Sequence, residues 1–269
     1  MELSFFNVDQ VCNDAKLIDD RLCVDLSRVI FFRPFALVYL GMFLRNHNSQ
    51  GRSCNLIPPN SSAARGYLAR QNFWERFNFN PDVIKEENLR RITTSTSLNN
   101  IVDIEKKDYI AENIADAVKK ILIINVVRVN AAEIGAVICE LVDNFALHSE
   151  RTLAAFHMQY YPNRNQVVLA IGDCGIGIRA SLATNPKYRA LLERPHYEAA
   201  LKSFDPLVTR LPEGGTGLTE VKDTVIRLKG ELRLATGDGY VRISDQGILY
   251  GQMAYELPGV QMELLFPEI

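Results

Sequence analysis

The chain lacks closely spaced cysteines, an excess of charge of either sign, and any apolar run long enough to cross a bilayer. Each absence removes a class of protein. The five cysteines (Cys12, Cys23, Cys54, Cys139 and Cys174) are odd in number and scattered through 269 residues. No CxxC spacing of the kind that builds zinc or dithiol sites occurs, so they read as reduced thiols. Thirty Lys and Arg against 32 Asp and Glu leave a formal charge of −2, which argues against a broad electrostatic grip on nucleic acid or an anionic membrane. The most apolar stretch, Phe35 to Leu44, is too short for a span, and Met1 to Asp9 carries no basic segment leading into an apolar one. The expected compartment is the cytoplasm, with no direct nucleic-acid or membrane binding. Internal repeats and low-complexity tracts are also missing.

What is present is apolar residues in quantity, 47% against 23% charged, enough to bury one large core or two smaller ones. From Cys23 to Phe77 the pattern alternates. A strand-like run (Leu22 to Phe32) precedes an amphipathic helix (Phe35 to Asn46), a short strand (Cys54 to Ile57) and a helix (Ser61 to Phe77), punctuated by Gly51 and Pro58-Pro59. This βαβα order predicts a small α/β unit over residues 1–85. It resembles the STAS domain of anti-sigma-factor antagonists. That family's switch is a Ser or Thr opening the helix after the first strand, whereas here the stretch reads Phe31-Phe32-Arg33-Pro34-Phe35. No hydroxyl stands there, so a docking or dimerising lobe is an equal expectation.

Residues 86–107 read as a linker or an edge strand, with a Thr/Ser-rich run from Thr93 to Ser97. Beyond it, helical spacing runs from Tyr109 to Ile124 and from Ala131 to His148. The run Gln166 to Ile171 suits a buried strand. A polar helical stretch (Lys187 to Ser203), a Gly-rich loop (Gly214 to Gly217), a helix (Leu218 to Lys229) and strands over Glu231 to Thr236 and Gln261 to Phe266 follow.

Three segments in this half carry chemistry. On the second helix, Glu140 and Asn144 stand four apart and share one face, with His148 a further turn along. An amide oxygen at Asn144 suits a hard cation that keeps waters and bridges phosphates, and a carboxylate one turn earlier suits a general base. Directly after the buried strand comes Asp173-Cys174-Gly175-Ile176-Gly177. There an Asp can accept an exocyclic amino hydrogen, and Gly175 and Gly177 let the backbone turn without a Cβ. Last comes Gly214-Gly215-Thr216-Gly217-Leu218, a loop opening a helix, where unpaired N–H groups favour phosphate oxygens. It is neither a P-loop, since no Gly-Lys-Ser/Thr follows, nor a dinucleotide fingerprint, since no strand precedes it. Taken singly, each segment also reads as a solvated helix face or a strand-end turn.

Together and in this order, the three resemble the ATP-binding region of the GHKL superfamily, which includes gyrase B subunits, mismatch-repair ATPases, heat-shock chaperones, histidine kinases and anti-sigma kinases. The resemblance runs from near Asp108 to the end. It implies an α/β sandwich of the Bergerat type over 108–269, with ATP and Mg2+ as cofactors. It also implies Asn144 as the metal ligand, Glu140 as the catalytic base, and nucleotide contacts from His148, Asp173, Gly175, Gly177, Gly215, Thr216, Gly217 and Leu218. The segment from Ile178 to Glu213 would cover the nucleotide. Of its cations (Lys187, Arg189, Arg194, Lys202, Arg210), Arg210 stands nearest the Gly-rich loop and is the expected phosphate contact.

The layout is nearest the anti-sigma regulators. Residues 1–107 hold only His47, so neither the dimerisation helix nor the phosphoacceptor of a histidine kinase is expected. The expected function is a regulatory Mg-ATP-binding protein, with Ser/Thr phosphorylation of a sigma or anti-sigma-type partner as its kinase form and a homodimer as one assembly. The alternative is an ATPase whose hydrolysis drives closure or dimerisation. That branch carries a further transducer domain, and the sequence stops at Ile269, soon after its terminal strand. A degenerate scaffold is disfavoured by the intact polar set.

Overall fold

The computed structural model describes residues 1–18, 21–77, 101–105, 109–125, 127–150, 153–210 and 217–268. It is a mixed α/β architecture. The Thr93 to Ser97 run, Gly215 and Thr216 lie outside the described residues, and so does most of the expected linker.

In the first 77 residues, β1 (Glu2–Leu3) leads through α1 (Val8–Asn13) to β2 (Lys16–Ile18) and β3 (Arg21–Asp25). The apolar run from Leu22 to Phe32 is not one strand. Asp25 accepts from the Ser27 amide at 2.8 Å, a local turn that stops β3, and the chain pairs again only at β4 (Phe31–Phe32), beside β1. After α2 (Pro34–Ser49), β5 (Cys54–Ile57) joins β3 in parallel, giving the order β2-β3-β5. The expected helix from Ser61 to Phe77 is two: α3 (Ser62–Arg70), capped by the Ser61 hydroxyl, and α4 (Phe73–Arg76). The break falls at Asn72, whose φ of 53° is left-handed.

Helix α2 departs most from expectation. The sequence predicts an amphipathic helix, yet every residue from Pro34 to Leu44 is buried. One side meets the strands and α1 of the N-terminal region, and the other lies on the large sheet described next. A helix covered on both sides needs no polar stripe.

The second half begins with β6 (Val102–Glu105), followed by α5 (Ile110–Ile124) and α6 (Ala131–His148), both close to their predicted bounds. Then come β7 (Leu153–Tyr161), β8 (Gln166–Asp173), α7 (Gly177–Ala183), a 3-10 segment (Pro186–Glu193), α8 (His196–Lys202), α9 (Gly217–Arg227), β9 (Glu231–Ser244) and β10 (Gly247–Pro267). The polar helical stretch is thus divided, with Pro195 marking the second start. The five strands form one sheet in the order β6-β7-β8-β10-β9, every neighbour antiparallel. Strands β9 and β10 are a single long hairpin rather than two short strands. Their glycines resemble loop punctuation in the sequence. In the structure, a Cβ at Gly237 or Gly239 would stand 2.6 or 2.8 Å from atoms of the His196 side chain, so those glycines admit α8 against the hairpin.

Strand β7 has no counterpart among the sequence expectations. Both its faces are covered, so polar and apolar residues do not alternate along it. One face of the sheet carries α5, α6 and α9 over a core of Val137, Leu141, Phe156 and Leu169. The other carries α2, seated over the small residues Ala155, Ala170 and Ala235. Polar pairs cross this second interface. The Tyr67 hydroxyl meets His157 Nε2 at 3.2 Å and donates to Gln159. Glu263, only 1% exposed, accepts from the Phe35 amide at 3.2 Å and pairs with Arg233 at 2.7 Å. Among the described residues, no helix is long and apolar enough to cross a membrane.

Candidate functional site

Helix α6 starts with Asn130 accepting from the Glu133 amide, and its apolar side is fixed against α5 and the sheet. The remaining edge, at four-residue spacing, presents Glu140, Asn144 and His148 to a cavity of about 330 Å³. The same cavity is lined by Asp173 and Gly177 from the β8 to α7 turn, Arg210 from the covering segment, and Gly217 and Leu218 from the start of α9. Residues from four segments therefore converge.

Two contacts order the α6 side. The Asn144 amide nitrogen donates to the Glu140 carbonyl at 2.8 Å and to its carboxylate at 2.9 Å, so the side-chain oxygen is the acceptor turned elsewhere. The Glu140 carboxylate lies against the first residue of α9. A Cβ on Gly217 would overlap Glu140 Oε1, so any larger residue there would displace that carboxylate. Burial pushes the Glu140 carboxyl above its ordinary range, the Asn144 hydrogen bond opposes that, and Asp143 and Glu220 add to it.

The raised value has a consequence for stability. A carboxyl whose pKa rises on folding binds more protons folded than unfolded, so stability falls as pH climbs from 4.5 through the raised value. Above that window the cost is fully present. Glu140→Gln keeps the hydrogen bond from Asn144 and removes the charge, and it should melt above wild type near neutral pH. The gap should close below about pH 4. Thermal melts across pH would check this; equal melting temperatures at pH 7 would show that the carboxylate is not desolvated.

Asp173, at the end of β8, is 6% exposed. Its Oδ1 accepts from the Gly175 amide at 2.6 Å, and its main-chain oxygen accepts from Gln261 Nε2 at 2.8 Å. Gly175 packs on the chain after α6, where a Cβ would overlap the Ser149 carbonyl. Gly177 has φ of 74°, a left-handed conformation that opens α7.

His148 closes α6. Its Nδ1 is buried with no hydrogen-bond partner among the described residues, and burial, helped by Arg210, holds the imidazole below its usual pKa and therefore neutral near pH 7. The Arg210 guanidinium donates to the Leu147 carbonyl and to Glu150, the latter at 3.4 Å, completing the carboxyl end of α6. Arg194 and Lys202 pair with Glu198 and Asp205 instead of facing the cavity.

Sequence reasoning missed Thr236, Gly259 and Gln261. The Thr236 hydroxyl accepts from the Ile178 amide at 3.2 Å and donates to the Gly259 carbonyl at 2.9 Å, tying α7 to the hairpin. These residues stand on strand faces with no motif around them, and only strand register brings them to the site.

A cation fits the donor set in one way. Among the described residues no cluster of three or more His, Cys, Asp or Glu is arranged for metal. The Asn144 oxygen, on an amide whose nitrogen is held by Glu140, suits an ion whose other ligands are water and phosphate.

No family model matches the chain, and no curated protein matches it. Among solved structures it is similar to a mycobacterial sensor histidine kinase, MprB, with 22% identity over 51% of this chain and 72% of that one, at a TM-score of 0.32. So slight a likeness carries no functional inference, which rests on the cavity itself.

Proposed function

We propose that the chain is a Mg-ATP-binding regulatory protein of the GHKL type, its second half serving as a Bergerat-type nucleotide domain. The observation that supports this best is the convergence of Glu140, Asn144, Asp173, Gly177 and Gly217 on one cavity of about 330 Å³, a size within the small-molecule range. Asp173 accepts the adenine amino hydrogen. The start of α9 receives phosphate oxygens through its N–H groups. Asn144 gives its side-chain oxygen to magnesium, which when bound neutralises phosphate charge. Glu140, with a raised pKa, takes the proton of the attacking hydroxyl or water.

A poised base of this kind favours group transfer over passive binding. Its acceptor is a Ser or Thr hydroxyl of a sigma or anti-sigma-type partner, or water in the ATPase reading. Labelled ATP added to the protein alone, then with lysate, separates these: label on a protein marks the kinase and free phosphate marks the ATPase.

Asn144→Ala tests the metal role. It should weaken ATP roughly 10- to 100-fold with magnesium present and much less in chelator, as expected for losing a contact to a charged group. Equal losses in both conditions, measured by calorimetry on folded variant, would remove Asn144 as a ligand.

A further inference from the structure

Asp173 is held from the face of the sheet that the cavity does not occupy. Neighbours along a strand point to opposite faces. Asp173 looks into the cavity, and Gly172 looks toward α2. A Cβ built on Gly172 would stand 2.7 Å from Val38 Cγ1, 3.1 Å from Gln261 Cγ and 3.4 Å from Met42 Cγ. The backbone of the adenine-facing turn therefore lies directly on α2. Next along the chain, the Cys174 thiol donates to the Met42 carbonyl at 3.1 Å.

Gln261 fills the remaining space. It is fully buried, and its amide donates both to the Asp173 carbonyl at 2.8 Å and to the Pro258 carbonyl at 3.1 Å. Its Oε1 accepts nothing among the described residues, so the amide sits there for what it donates. Gly259 closes the ring, with φ of 91°, where a Cβ would overlap the Asp173 carbonyl.

We propose that Gln261 and helix α2 are positioning elements for Asp173, so that residues 1–77 back the strand that carries it and respond to occupancy of the nucleotide site. The proposal rests on the nucleotide reading above. Close packing leaves α2 no slack against β8, and a shift of either carries the other. Coupling of this kind is reciprocal: a partner that moves α2 changes ATP affinity, and ATP changes the affinity for that partner by the same factor.

The test uses the full chain and four proteins: wild type, Gly172→Ala, Val38→Ala and the double variant. The methyl group that Gly172→Ala adds points away from the cavity and cannot block nucleotide directly. Gly172→Ala should weaken Mg-ATP binding about tenfold or more, through overpacking against Val38. The double variant should recover most of that loss, because the nearest atom is gone. Gln261→Met, which removes the donor without a clash, should weaken ATP roughly 5- to 20-fold and narrow the preference for ATP over GTP. A merely structural role for Gln261 would lower the melting temperature and leave that preference intact.

If Gly172→Ala does not fold, the Gln261→Met result and hydrogen exchange of wild type decide; Mg-ATP should slow exchange of α2 amides. Suppose wild type binds ATP, yet Gly172→Ala binds it normally, or its loss persists in the double variant, or Gln261→Met and α2 exchange show no effect. Any of these overturns the coupling and leaves the nucleotide reading standing. Wild type that binds no ATP brings down both.

Discussion

Glu140→Gln should keep nucleotide affinity near the wild-type value and lower turnover by roughly 10²- to 10⁴-fold, the usual contribution of a positioned general base. The expectation comes from where the carboxylate sits. It is wedged against Gly217 at the start of α9, oriented by the Asn144 amide, and pushed above its ordinary pKa chiefly by burial. That shift strengthens it as a base near neutral pH. Glutamine keeps the size and the hydrogen bond but cannot take the proton. Phosphate release or transfer would be measured alongside affinity, and turnover unchanged in the variant would reduce Glu140 to a packing role.

Asp173→Ala should weaken ATP roughly 5- to 150-fold, the cost of losing a hydrogen bond to a charged group or leaving its partner unpaired. An ionised carboxylate only accepts, which suits the amino group of adenine and opposes the carbonyl at the same place in guanine. Asp173→Asn should for that reason narrow the preference for ATP over GTP. The Gln261 amide and the close approach of Gly259 hold the turn through the Asp173 main chain, which the substitution leaves in place, so the variant should remain folded. Normal ATP binding by folded Asp173→Ala, checked by circular dichroism, would make the segment an ordinary strand-end turn.

Legibility in the sequence followed burial geometry. Helices α5 and α6 are readable almost to the residue because each has one apolar side against the sheet and one wet side, and β5 and β8 because they are short apolar runs between clear breaks. The alignment of the site residues on α6 follows from helical spacing alone. Elements covered on both sides give no such signal: α2 looks amphipathic and is not, and β7 is hidden with His157 and Gln159 buried in it. The long hairpin is masked by glycines whose purpose, admitting His196, exists only in three dimensions. Gln261 and Thr236 belong to the same class. Each acts through a partner distant in sequence, Asp173 for one and Ile178 for the other, and spacing along the chain cannot report such contacts.

Calorimetric titration of the wild-type chain with ATP and with GTP, each with magnesium, reads out whether the cavity is an adenine-specific Mg-ATP site. A saturable one-to-one heat with ATP, diminished in chelator, and no binding of GTP is the predicted result. No heat with either nucleotide, or equal affinity for both, would contradict it.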